Sequence, residues 1–142
     1  MANTTGICDT FKTELLTGTH NLGSNTIKAA IYNTTATITN ATATYTATGE
    51  VPASGSYTAG GITCTAGTPA RTGTVAYWQP GANINCGTVT WATAFDAVLL
   101  YNNTQTNKAI AVWNFGSTTV NGGTFQITLP TNDATNALIR LT

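Results

Sequence analysis

Apolar positions along this chain follow two spacings, and the change from one to the other comes near residue 26. In residues 7–17, Ile7, Phe11 and Leu15 recur at i, i+4 and i+8, with Cys8 beside them, which is the one-sided stripe of a short amphipathic helix. Thr4 or Thr5 stands where a helix cap belongs, and Gly18 stands where a glycine ends a helix. Two or three helical turns do not hold by themselves, so this face must dock on the chain's own sheet or on a neighbouring subunit.

From Thr26 onward the period is two. Residues 27–32 (IKAAIY) read as a strand that Asn33, Thr34 and Thr35 end. Residues 36–48 (ATITNATATYTAT) alternate Thr with small side chains around one aromatic, Tyr45, and are compatible with a strand. Pro52, Gly55, Gly60 and Gly61 make residues 49–61 the densest turn signal, so an exposed loop is expected there, leading into a short strand at residues 62–64. Residues 72–79 and 89–91 read as further strands. Residues 94–101 (AFDAVLLY) and 108–115 (KAIAVWNF) read as a hairpin across a polar loop. Asn121, Gly122 and Gly123 form a turn signal before residues 125–129, in which Phe125, Ile127 and Leu129 share a face, and residues 138–141 offer a last strand. About eight strands with turns every eight to twelve residues predict an all-β fold, a single-domain β-sandwich of jelly-roll type. Residues 1–22 are then an N-terminal helix or arm and residues 26–142 the sandwich.

Composition changes the functional picture more than the fold. Thr supplies 33 of the 142 residues, whereas Asp, Glu, Lys, Arg and His together supply 11. A chain of this length buries roughly 68% of its unfolded surface, enough for a core without disulfides or metals. Net charge is zero, which leaves no electrostatic footprint for nucleic acid or an anionic membrane. A protein with 7% charged residues and no net charge lacks ordinary colloidal protection, which favours assembly with much of the surface covered. The N-terminal residues show no cationic segment followed by an apolar one, so no signal peptide is read there. The longest apolar run, residues 97–101, is far too short to span a membrane.

Acid–base and nucleophilic catalysis need several ionisable groups in one place, and the five carboxylates here are scattered. His20, the only histidine, has no acidic or thiol neighbour in sequence and reads as a loop residue. Cys8, Cys64 and Cys86 fit no metal-ligand spacing; free thiols are expected, with a Cys64–Cys86 bridge left open. If Phe95, Ala97 and Leu99 face the core, Asp96 and Val98 face outward, and a Glu50–Asp96 or Asp96–Asp133 acid pair is not favoured. The glycines of residues 55–61 and 116–123 match no phosphate-binding pattern and read as turns. Tyr77, Trp78, Trp91, Tyr101 and Trp113 offer either packing or a carbohydrate-stacking platform. No catalytic residue, cofactor or metal is expected.

Five stretches carry a resemblance to a known group: ICDTFKTELLTGTHNL, IKAAIYN, YTATGEVPASGSYTAGG, AVLLYNNTQTNKAIAVWNFG and FQITLPTNDATNALIRLT. Together they resemble a family of small virion structural proteins of tailed bacteriophages. In that family a segment of the form C-D/S-x-F-K-x-E-L precedes the strands, a GYTAGG-like loop follows, and the chain ends in LPTNDATNAIIRI-like residues. Here Ser56 stands between Gly55 and Tyr57, a departure within the loop. The resemblance implies a β-domain on the virus particle, made in the host cytoplasm. It further implies a jelly-roll cement or decoration subunit whose partners are the major capsid protein and copies of itself. A tail, collar or fibre component is the alternative within that class, and a carbohydrate-binding module the alternative outside it.

Overall fold

The computed structural model describes residues 2–142 and holds two antiparallel sheets and one short helix. Chain order is β1 (Gly6–Ile7), α1 (Asp9–Leu16), β2 (Ile27–Asn33), β3 (Ile62–Thr63), β4 (Ala70–Thr72), β5 (Val75–Trp78), β6 (Ile84–Asn102), β7 (Lys108–Ile127) and β8 (Ile139–Leu141). The larger sheet has the order β1-β7-β6-β2-β3 and the smaller one β4-β5-β8. One cluster of buried apolar side chains runs from Cys8 to Ile139 and draws on both sheets.

The helix is shorter than its apolar spacing suggests. Ile7 belongs to β1, where it faces Ala111 of β7, and the Cys8 amide bonds to Ile110 O at 2.9 Å. With those backbone groups held by the sheet, the helix starts only at Asp9. Its cap position is Cys8, which makes no side-chain bond, and neither Thr4 nor Thr5 caps it. Gly18 does end it, in the left-handed region at φ 73°, with its amide on Leu15 O. Phe11 is buried, Leu15 is half-buried, and Leu16 is 90% exposed, so docking rests on one side chain more than on a stripe.

The hairpin predicted for residues 94–115 is the spine of the fold, but it is longer than expected. The separate strands expected at residues 89–91 and 125–129 merge into β6 and β7, which pair from Asn102–Lys108 down to Ile84–Ile127. Gly87, Gly116 and Gly122, all at positive φ, sit where the register shifts and are absorbed as bulges instead of breaking the strands. Residues 116–123 are therefore strand and not turn. A glycine signals a backbone that needs positive φ, and a turn and a bulge meet that need equally well.

Two other segments depart from expectation. Residues 36–48 make no named strand, only a bridge between Thr44 and Lys108. Their hydroxyls serve the local backbone instead: Thr39 N donates to Thr42 Oγ1, Ala41 N to Thr39 Oγ1 and Thr48 N to Thr46 Oγ1. Such bonds offer the chain an alternative to a sheet ladder. Residues 49–61 are not simply an exposed loop either, because Val51 and Tyr57 are buried. Ser56 N bonds to Cys86 O and Thr90 N to Ser54 Oγ, so this loop lies along the outer edge of β6. Gly61, at φ 86°, passes so close to β2 that a Cβ there would meet Ala29 O at 2.1 Å. The strand expected at residues 72–79 is a hairpin, β4–β5, turning at Gly73.

Candidate functional site

Three polar clusters hold Glu14, His20, Lys108, Glu50 and Asp96, five of the eleven Asp, Glu, Lys, Arg and His side chains. The first lies where α1 meets the β6–β7 hairpin. His20 lies in the loop after α1, as the sequence suggests, but it is buried and not isolated. Its Nε2 lies 2.8 Å from Glu14 Oε2, and its Nδ1 lies 3.0 Å from Asn102 Nδ2. Lys108 Nζ donates to the other oxygen, Glu14 Oε1. Asn102 Oδ1 accepts from Gln105 N, which turns the amide nitrogen towards Nδ1 and Asn25 Oδ1. Nδ1 must then accept, so the network assigns the neutral Nε2–H tautomer, donating to Glu14. The ring also packs on Phe11, with centroids 4.8 Å apart.

Burial pushes the Glu14 carboxyl up, but the bonds from Lys108 and His20 outweigh it and hold the group below the ordinary carboxylate range. A depressed pKa stabilises the fold above the unfolded value of about 4.3, and that stabilisation is lost as pH falls through the folded value. Glu14→Gln should therefore lower stability by about 2 kcal/mol at pH 7 and flatten the acid limb below about pH 4. Urea midpoints at pH 7 and in acid check this; a variant with the wild-type acid limb would contradict it.

The second cluster surrounds Glu50. Tyr45 and Tyr57 each donate a hydroxyl to it at 2.6 Å, and Gly60 N donates to Oε1 at 2.9 Å. Tyr57 Oη also accepts from Ile31 N, and Tyr101 stacks on Tyr45 with centroids 4.9 Å apart while bonding to Gly60 O. Burial, followed by the Glu50 charge, pushes Tyr101 up to about 12. Burial and then the bond to Glu50 raise Tyr45 and Tyr57 further still. These phenols stay protonated and tie the loop to β2 and β6. Glu50→Leu removes the acceptor of three donors and should cost about 3 kcal/mol, whereas Glu50→Gln keeps an acceptor and should cost about 1 kcal/mol. Denaturant titrations compare the two, and equal losses would contradict the role given to the acceptor.

The third cluster holds Asp96. It is half-buried and bonded, not an ordinary outward strand position: Asn3 Nδ2 donates to Oδ1 at 2.6 Å and Asn114 Nδ2 to Oδ2 at 3.0 Å. Val98, expected on the same exposed face, is buried. Asn3 Oδ1 also accepts from Ile38 N, so the cluster fastens the N-terminal arm. Asp9 bonds to Lys12 and Asn40, and Asp133 bonds to Asn136. Each carboxylate thus has its own partners, and neither acid pair considered from the sequence shares a hydrogen-bonded group.

Among the described residues the arrangement offers structure more than reactivity. Both ring nitrogens of His20 are engaged, and its side chain is fully covered. All three cysteines are free, so Cys64 and Cys86 are not bridged. Burial pushes the thiols up, Cys8 and Cys64 to about 12 and Cys86 to about 11, far from a reactive thiolate. No three His, Cys, Asp or Glu side chains among the described residues converge as metal ligands. Two apolar grooves mark the surface. One of about 440 Å³ lies between the end of α1 and the small sheet, lined by Leu15, Leu22, Pro69, Tyr77 and Trp78. The other, about 250 Å³, is lined by Trp113, Phe115, Ile127, Leu129 and Leu138. Of the five aromatics singled out in the sequence, Trp78, Trp91 and Tyr101 are buried and Tyr77 and Trp113 half-buried, so they form no exposed stacking row. No family model, curated protein or solved structure matches this chain.

The Glu14–His20 pair is the contact that sequence reasoning missed. The spacing of six residues across Gly18 was the available signal, since a glycine that reverses the chain after a helix returns its next residues to the last turn.

Proposed function

We propose that this chain is a virion structural protein of a tailed bacteriophage, a cement or decoration subunit bridging neighbouring major capsid proteins. The observation that carries the reading is the fate of the ionisable groups. The five carboxylates all bond within the chain, and the outer surface is mostly strand backbone, threonine and small apolar patches, with Asp9, Lys12, Arg71 and Arg140 as its few exposed charges. Such a surface suits a permanent neutral contact better than catalysis. The sequence resemblance to small virion proteins supports the same conclusion. Tail, collar or fibre attachment is the neighbouring reading, while the burial of Trp78, Trp91 and Tyr101 weighs against a carbohydrate-binding module.

In this reading the two sheets are halves of one jelly-roll-type sandwich. What supports it is that Trp78 of β5 and Ile139 of β8 share a core cluster with β2, β6 and β7. A near-neutral clamp holds by apolar contact and neutral hydrogen bonds, so raising salt to about 1 M, where the Debye length is about 3 Å, leaves it in place. Heat-induced genome release from wild-type and deletion particles, after such a wash, tests the role. The deletion particles should release at lower temperature, and the washed wild type should retain the protein. Equal release temperatures would rule the role out.

A further inference from the structure

Beyond Asn114, β7 loses its outer partner. β1 covers only Ala111 and Val112, and the arm reaches one step further, through Thr5 Oγ1 and Asn3 O to Asn114. Among the described residues, the strand pairing of residues 115–127 is to β6 alone. Two amides in this stretch are held by side chains, Gly116 N by Asn114 Oδ1 and Gly122 N by Thr90 Oγ1. The corresponding outer edge of β6 is sheathed by the loop carrying Ser54 and Ser56.

A long bare edge is a template for another strand, and proteins usually blunt it with charge or proline. This one has neither: no Asp, Glu, Lys, Arg or His occurs in residues 109–132, and no proline in residues 109–129. The bulge at residues 115–117 bends the strand, and beyond it residues 118–127 run on with Gly122 as their one extra residue.

The pattern in residues 118–127 says what fits. Thr118, Val120, Gly123, Phe125 and Ile127 are half-buried, while Thr119, Asn121, Gly122, Thr124 and Gln126 are exposed. The alternation is nearly palindromic about the midpoint between Gly122 and Gly123. Laid antiparallel against itself, the segment sets Thr118 opposite Ile127, Val120 opposite Phe125, Thr119 opposite Gln126 and Asn121 opposite Thr124. Facing residues in an antiparallel pair must share a sheet face, and these four pairs do. One inner pair is β-branched against aromatic, a favourable cross-strand combination, and the outer pairs are neutral and polar. The centre is two glycines, Gly122 and Gly123, which carry no side chain on either face.

We propose that residues 118–127 of β7 pair antiparallel with the same residues of a second copy of this chain, about a twofold axis between Gly122 and Gly123. The interface is isologous and closes at two copies, joining two sheets into one. This goes beyond the particle role, and its test uses the purified full chain, so either idea can fail without the other.

Sedimentation equilibrium at about 100 µM, where even micromolar pairing is populated, should give twice the 14.7 kDa chain mass. Combining Thr119→Lys with Gln126→Lys sets like charges opposite each other at both ends of the pairing and should weaken the dimer at least tenfold. Combining Thr119→Lys with Gln126→Glu sets opposite charges there and should restore it. Both positions are exposed, so the two variants should share the wild-type circular dichroism and denaturation midpoint. A wild-type monomer would overturn the proposal and leave the edge to a strand of some other chain. A trimer, or a Lys/Lys variant as dimeric as the wild type, would overturn it as well.

Discussion

Trp91→Ala should destabilise the fold by about 5 kcal/mol, the largest loss expected from any single side chain here. Trp91 is buried on β6 at the centre of an aromatic group, with ring centroids 5.2 Å from Tyr57, 5.0 Å from Phe95 and 5.8 Å from Phe125. Truncation removes the burial of an indole and leaves a cavity that three aromatic rings are too rigid to fill. It also orphans the Pro52 carbonyl, which accepts from Trp91 Nε1 at 2.7 Å and holds the loop against β6. Trp91→Phe keeps most of the packing and loses the bond, so about 1–2 kcal/mol is expected. Denaturant midpoints separate the two. If Trp91→Ala stays within about 0.5 kcal/mol of wild type, the aromatic group is not the centre of the core.

Phe11→Ala should cost about 3–4 kcal/mol. Phe11 is the only fully buried residue of α1, and the His20 ring rests on it, so its loss also loosens the Glu14–His20–Asn102 network. Leu16→Ala is the internal control: at 90% exposure it should change stability by less than about 0.5 kcal/mol. The contrast separates docking by one side chain from docking by an amphipathic stripe. Equal costs for the two variants would favour the stripe.

The helix near Phe11, the β6–β7 hairpin and the final strand were legible in the sequence because each rests on local periodicity. Strand length was not, because Gly87, Gly116 and Gly122 look like turn residues until the partner strand shows them as bulges. Residues 36–48 misled for a related reason. Thr suits a strand, yet its hydroxyl also closes turns on its own backbone, and composition does not choose between the two. The Glu50 and Asp96 clusters were invisible in outline, because Glu50 meets Tyr57 through a loop reversal and Asp96 meets Asn3 across 93 residues. What the composition did convey was the small number of ionisable groups, 11 in 142 residues, although not which of them pair inside the fold.

The most direct test of the cement reading is a cryo-electron microscopy difference map between wild-type particles and particles lacking this protein. The account predicts difference density on the outer capsid, lying across joints between neighbouring major capsid proteins. Density confined to the tail or collar, or no difference at all, would contradict it.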